Sequence, residues 1–310
     1  MRSRISIRAI LRNKESSVLS FMEKEIQEYL DRVHESDFAM LSEVDRICKK
    51  YDIQYYLHGG TFLGAVRHQD FIPWDDDVDI LFLRDDYEKF LKVFEKEADL
   101  RFKLLRFERY PQFFDFITKI ADMDLTYEGT AFGAEDFYDK RYSHPTLDLF
   151  VFDIEDDNHK WQLIRMKLLY ALAMGHRPYV DYGKFKGPMK AVAFVLASVG
   201  KLIPLKKIVM KYIGLQTQGG IARLVSEGDD KFCDSKKVLF ISNEQPDPRY
   251  WGLDFEAAHL INGPDTAYIR GKEFPIPKFH DKWLKKTYGD YMTLPPKEKR
   301  VPMHVNIIKE

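Results

Sequence analysis

"PWDDDVDI", residues 73–80, places Asp75, Asp76, Asp77 and Asp79 within five positions. Carboxylates this close repel one another, and a solvated loop gains nothing from them. In an extended chain alternate side chains share a face. Asp75, Asp77 and Asp79 then align, Asp76 points away and is dispensable to the cluster, and Val78, Ile80, Leu81 and Phe82 anchor the strand. Carboxylates two positions apart stand roughly 6.5 to 7 Å from one another, a spacing from which they can converge on one hard cation or bridge two. Without a metal their repulsion raises at least one pKa and destabilises the fold. With Mg²⁺ or Mn²⁺ the repulsion becomes attraction to an oxygen-loving charge. An acidic loop or aspartate-rich cap is the alternative; the alternation against an apolar strand favours the metal.

A metal site of this kind needs another carboxylate and a group that holds phosphate. "TLDLFVFD" offers Asp148 between Leu147 and Leu149, in a strand that reads as buried. An aspartate there is costly unless paired or ligated, although a strand edge or cap would also accept it. Asp153, at the far end of that strand, reads as a cap or turn residue. "HGGT" sets Gly59 and Gly60 after a strand and before a helix. Such a turn lets backbone N–H groups approach a phosphate at a helix N-terminus, though most paired glycines are only turns. Arg67 and His68 follow one to two helical turns later. They could hold a diphosphate, or simply cap and hydrogen-bond.

The elements that must position these groups follow from periodicity. Residues 15–50 read as helix, with Met22, Ile26, Tyr29, Leu30 and Val33, then Phe38, Leu41, Val44 and Ile47 at helical spacing. "QYYLHGG" is a short strand, and "TFLGAVRH" opens a helix at Thr61. "DVDILFL" is a strand buried on both faces. "RDDYEKFLKVFEKEA" is a helix with Asp86 near its start. "DFITKIAD" and "LTYEGTAF" read as a pair of strands and "TLDLFVFDI" as another. Residues 159–175 are helical, and "FHDKWLKKTYG" is the clearest helix of the last third. This order predicts an α/β fold with a mixed sheet, carrying a helical insert and a C-terminal extension. Soft boundaries fall near 180 and 230. They separate a core at 1–180, a basic helical segment at 181–230, and a region at 231–310 that completes the site.

Composition narrows the class. The chain has 310 residues, 45% of them hydrophobic, enough for a sizeable core. Lys and Arg number 48 against 49 Asp and Glu, so global charge names no partner. Cys48 and Cys233 form no CxxC or Cys/His cluster, which argues against a disulfide framework or structural zinc. No secretory signal, spanning helix or glycosylation sequon is read, consistent with a cytoplasmic protein. Residues 182–226 contain seven lysines and Arg223 but no acid, and enclose the apolar "AVAFVLASVGKLIPL". With the basic N-terminus "MRSRISIRAILRNK", this stretch suggests peripheral docking at the inner face of an anionic membrane, recruitment of an anionic polymer, or an ordinary core helix with a solvated lysine face. Nucleic acid is excluded as a partner, because basic and aromatic residues do not interleave in a recognisable module.

"HGGTFLGAVRHQDFIPWDDDVDI" closely resembles the signature of the LicD family, whose founding activity is phosphorylcholine transfer. The resemblance continues through "TKIADMDLTYEG", "TLDLFVFD" and "FPIPKFHDKWLKKTYGDYMTLPPKEKR", over roughly residues 40–155 and 268–304. It implies a nucleotidyltransferase-like fold and metal-dependent transfer of a phospho-alcohol from a CDP-activated donor such as CDP-choline. The implied acceptor is a hydroxyl of a cell-surface glycan, a lipid-linked polysaccharide or a teichoic-acid-like polymer, with CMP released. Glycerol or ribitol phosphate transfer, or nucleotidyl transfer from an NTP, are the alternatives. The resemblance sets Gly59, Gly60 and Thr61 at the phosphate-binding turn and Asp77 and Asp79 at the metal pair, with Asp75 beside them. It makes Asp148 a third ligand or general base, and gives Lys119 and Arg300 as phosphate-neutralising groups. The cysteine cluster of the fukutin-related relatives is absent, so no zinc site carries over. Arg270 stands where the family often has an acid, which bears on the substrate pocket.

Overall fold

A computed structural model of the chain describes residues 16–106, 109, 116–128, 142–154, 159–176, 180, 182, 185–217, 240–242, 263–302 and 307–308. The basic N-terminal stretch, Cys233, Lys184, Arg223 and the end of "LTYEGTAF" lie outside them.

The apolar run 78–83 is strand β2 (Val78–Leu83), and "TLDLFVFDI" is β7 (Thr146–Ile154). The two pair in parallel, from Val78 opposite Leu147 to Leu83 opposite Phe152. Near-continuous apolar sequence suits strands covered on both faces. β1 (Tyr56–Leu57) pairs antiparallel with β2, β4 (Thr118–Asp122) with β7, and β3 (Phe102–Leu105) with β4. The spatial order is β1-β2-β7-β4-β3, and β8 (Phe240–Ser242) joins the far end of β7. The architecture is thus the expected mixed α/β sheet. β5 (Tyr127–Glu128) belongs to a separate small sheet with β6 (Tyr142–Ser143) and β11 (Ile307–Ile308), and pairs with neither β4 nor β3.

Helix α1 (Ser16–Tyr51) buries Val33, Met40, Leu41, Val44 and Ile47, and packs on β4, β7 and α3 (Arg84–Glu97). Helix α2 (Gly59–His68) joins β1 to the turn before β2. It starts two residues before Thr61, so both glycines lie in its first turn. The hairpin of β9 (Asp265–Ile269) and β10 (Lys272–Ile276) precedes α7 (His280–Tyr288). Ile269, Phe274, Trp283 and Leu284 share one core with Val78, Leu147 and Phe62, so the C-terminal segment completes the interior. Arg270 occupies the tip of that hairpin, its guanidinium over the Phe38 and Phe71 rings and 3.6 Å from Asp70.

Asp153 corrects the sequence reading. It is neither cap nor turn but a fully buried member of β7. Arg84, the first residue of α3, grips it through Nε at 3.0 Å and Nη2 at 2.6 Å. Burial pushes the Asp153 carboxyl up, and Arg84 offsets part of that push. The pair closes the sheet end opposite to Asp79 and Asp148.

A second, smaller core lies between two helices, α4 (His159–Ala173) and α6 (Leu205–Gln216), with α5 (Pro188–Gly200) packed against α4. Leu163, Met166 and Leu169 of α4 meet Ile208, Val209 and Tyr212 of α6. Gln216 Nε2 donates to the Val151 carbonyl at 3.2 Å and ties this unit to β7. No helix among the described residues is long and apolar enough to cross a membrane.

Candidate active site

The site is organised by strand register. Asp79 of β2 stands directly opposite Asp148 of β7, and Asp148 directly opposite Lys119 of β4. Directly opposed residues on adjacent strands point to the same face. Three neighbouring strands therefore carry one acid–acid–base rung across the sheet. Lys119 Nζ reaches both Asp148 oxygens, at 2.7 and 2.6 Å. The lysine that the resemblance assigns to phosphate is thus paired with a carboxylate of the site itself.

The acidic segment is less extended than its alternation suggests. β2 begins at Val78, so Asp75 and Asp77 lie in the chain entering it. The Asp75 N–H bonds the Ile72 carbonyl at 2.9 Å in a turn. That turn swings the Asp75 carboxylate onto the start of α2, where full extension would have spaced it evenly along a ladder. Asp79 Oδ2 lies against Gly59, and Asp75 Oδ2 against Gly60. A Cβ at either glycine would sit inside the van der Waals envelope of that carboxylate oxygen. Gly59 also holds φ +53°, a conformation that L side chains rarely adopt. The paired glycines therefore let two carboxylates press on a helix N-terminus, whose free N–H groups and partial positive charge favour anions.

Thr61 Oγ1 accepts a hydrogen bond from the Asp79 N–H at 2.9 Å, and the His58 N–H donates to the Asp79 carbonyl at 3.0 Å. In this structure Thr61 fixes the strand that carries Asp79. Burial, then Asp77, Asp148 and Asp75, hold the Asp79 carboxyl well above the usual carboxylate range, and Lys119 works in the other direction. The four candidate acids are therefore electrically one cluster around Asp79.

The basic candidates gather at the rim. Arg67 feels Asp75 and Arg300, and burial pulls its guanidinium down while Asp75 pushes it back up. Arg67 Nη1 donates to the Tyr291 carbonyl at 2.8 Å. Arg300 donates from Nε to the Pro295 carbonyl at 2.8 Å and lies over the Trp74 ring, 5.6 Å from its centroid. His68 meets the same indole edge-on at 6.0 Å. The C-terminal motif is thus folded back onto "PWDDD", and it brings Arg300 to Trp74 across more than 200 residues of chain.

Two contributions from α1 escape sequence reasoning. Asp37 is buried, its Oδ2 has no hydrogen-bond partner, and its carboxyl is pushed well up by burial and then by Asp77, Asp75 and Asp76. Asp76 is itself buried, so it does not stand in open solvent. His34 Nε2 donates to the Asp75 carbonyl at 2.8 Å and stacks on Phe71. A signal existed: Asp37 lies four residues after Val33 and four before Leu41, inside the apolar stripe of the helix.

As donors for a cation, Asp75, Asp77, Asp79 and Asp148 are of the right kind, since hard divalent ions take carboxylate oxygen. The half-buried, mutually repelled carboxyl of Asp79 is the observation that favours such an ion. Among the described residues, however, no group of three or more His, Cys, Asp or Glu side chains is already arranged around one ion centre.

Comparison with known proteins gives the geometry a family context. The family model described as LicD/FKTN/FKRP, nucleotidyltransferase domain, matches residues 52–182. The chain is similar to the lipopolysaccharide cholinephosphotransferase LicD of Haemophilus influenzae, 27% identical over 267 residues, which cover 84% of this chain and 89% of that protein. Over 34 residues it is 56% identical to the human ribitol 5-phosphate transferase FKRP, a match covering 11% of this chain and 7% of that protein. An uncharacterised Rickettsia typhi protein is 33% identical over 67 residues, 22% of each chain.

Proposed function

Because the chain carries a LicD-family domain over residues 52–182, we propose that it is a phosphotransferase moving a phospho-alcohol from a CDP-activated donor to a glycan hydroxyl. Phosphocholine is the favoured group, since the relative matched over most of both chains is a cholinephosphotransferase. Ribitol phosphate is the second reading, favoured by the short, dense match to the ribitol 5-phosphate transferase. The single observation that carries the proposal is the rung Asp79–Asp148–Lys119 facing the Gly59–Gly60 helix start.

In this reading the acceptor oxygen bonds to the phosphorus that bears the alcohol. The bond from that phosphorus to the bridging oxygen breaks, and CMP leaves with that oxygen. The hydroxyl proton passes to Asp148, a carboxylate held in place by Lys119. Arg67 and Arg300 offer guanidinium charge to the donor diphosphate, and the α2 N-terminus offers its N–H groups. Mg²⁺ or Mn²⁺, held by Asp75, Asp77 and Asp79, would neutralise diphosphate charge.

The test uses CDP-choline, CDP-ribitol and CDP-glycerol with Mg²⁺ and a glycan acceptor, and follows nucleotide products. CMP release that EDTA abolishes is expected. Asp77→Ala and Asp79→Ala should keep the wild-type circular dichroism spectrum and lose activity by about three orders of magnitude. Release of pyrophosphate from an NTP instead would replace the proposal with nucleotidyl transfer. Wild-type CMP release by either variant would remove these aspartates from the chemistry.

A further inference from the structure

Within the α4–α6 unit, helix α5 inverts the usual packing rule. Helix α5 faces the protein with Ala193, Ala197 and Gly200, all buried, and turns its bulky apolar residues outward. Phe194 is 57% exposed, Val195 56%, and Leu202 just beyond the helix 83%. The inward face is small because backbones meet there. A Cβ on Gly200 would collide with the Leu172 carbonyl, and one on Gly175 with the Ala197 carbonyl. Moving the large side chains inward is therefore closed off, and the outward face is a fixed consequence of how α5 docks. Helix α4 adds exposed Trp161 at 61%, with Ile164 and Leu168 at helical spacing. Large apolar side chains exposed together on two helices that pack against each other mark an interaction site.

The charge around that surface selects the partner. Residues 182–226 contain no acid. Lys190, Lys201, Lys206, Lys207 and Lys211 are all exposed around α5 and α6. A two-fold dimer through this face would set lysine against lysine with no acid from this stretch to neutralise them. An anionic bilayer supplies both halves of the match, apolar depth for the side chains and phosphate for the lysines. At 1.5 Å per residue, the 13 residues of α5 extend about 20 Å, short of the ~30 Å hydrocarbon core. We propose that the α4–α6 unit is a docking surface for an anionic lipid bilayer, with α5 lying in the interface plane and not crossing it. The proposal is independent of the chemistry at Asp79.

The experiment is co-sedimentation of the full chain, without donor, with phosphatidylcholine vesicles holding 30% phosphatidylglycerol or none. Binding to the anionic vesicles is expected, weakened by salt and at least about tenfold weaker to the neutral ones. Phe194→Ser with Val195→Ser should lower binding about tenfold or more, as should Lys206→Glu with Lys207→Glu, with melting curves unchanged. No sedimentation with anionic vesicles overturns the proposal, as does binding indifferent to lipid charge or to both double variants. Light scattering that shows a dimer dissociated by the Phe194/Val195 pair would assign the face to a second copy instead.

Discussion

The sheet end around Asp79 and the helical unit around α5 break the same rule in opposite directions. One buries carboxylates; the other exposes bulky apolar side chains. In the sheet several acids have a specific basic partner: Lys119 on Asp148 and Arg101 bidentate on Asp122 at 2.6 Å near Asp79, and Arg84 on Asp153 at the opposite end. In the second, the exposed residues are held outward by a backbone seam and nothing in the unit requires their chemistry for folding. The contrast teaches where mutational cost resides. Violations of a packing rule accumulate at functional surfaces, but only the buried kind is coupled to stability.

The largest cost of a buried acid lies at the opposite end of the same sheet, at Asp153. Asp153→Ala strands the buried Arg84 guanidinium and should lower unfolding free energy by about 3–5 kcal/mol. Replacing both partners, Arg84→Met with Asp153→Leu, should restore most of it. Urea titration measures both, and a mild single variant would show that the pair is not what holds this end of β7.

His58 gives the next effect. It is buried against Phe150 and Phe152, its Nδ1 has no hydrogen-bond partner, and burial pulls its imidazole down to about 4. In the unfolded chain it titrates near 6.5. As pH falls, the unfolded state takes up the proton first. Stability from this group is therefore full above about 6.5 and lost on the way down to about 4, by at most about 3 kcal/mol. Denaturant midpoints at pH 7.5 and 5 should diverge less in His58→Leu than in the wild type. Equal divergence would assign acid sensitivity to other groups.

Gly60→Ala sharpens the site itself. Its Cβ displaces the Asp75 carboxylate, and a misplacement near 1 Å costs roughly a hundredfold in rate. CMP release should fall to that extent while the melting temperature changes little. The smallest effect belongs to the other region: Val195→Ser should change stability by no more than about 0.5 kcal/mol in the same urea assay. A large loss there would mean that α5 is packed as core after all.

Legibility followed sequence distance. Asp77 and Asp79 could be read because their spacing and the apolar run after them are local. Asp148 could be read because an acid between two leucines of a strand is conspicuous. Arg84 was invisible as a partner, since an arginine beginning a helix looks solvated until β7 is set beside it. Asp37 was missed although its place in the apolar stripe of α1 was a usable sign. Asp153 was misread because its far-end position resembles a cap when Arg84 is unknown.

By itself, the sequence determined the elements and the chemical type of the site: hydrophobic period sets helix and strand, and clustered carboxylates dictate an appetite for positive charge. Tertiary structure alone decided which groups meet. Strand register put Lys119 on Asp148 and Asp148 beside Asp79. Backbone closeness at Gly59 and Gly60 pressed two carboxylates on a helix start, and chain return carried Arg300 to Trp74. Periodicity is a property of neighbours along the chain, whereas pairing and close approach depend on residues tens to hundreds of positions apart, whose proximity exists only once the sheet has formed.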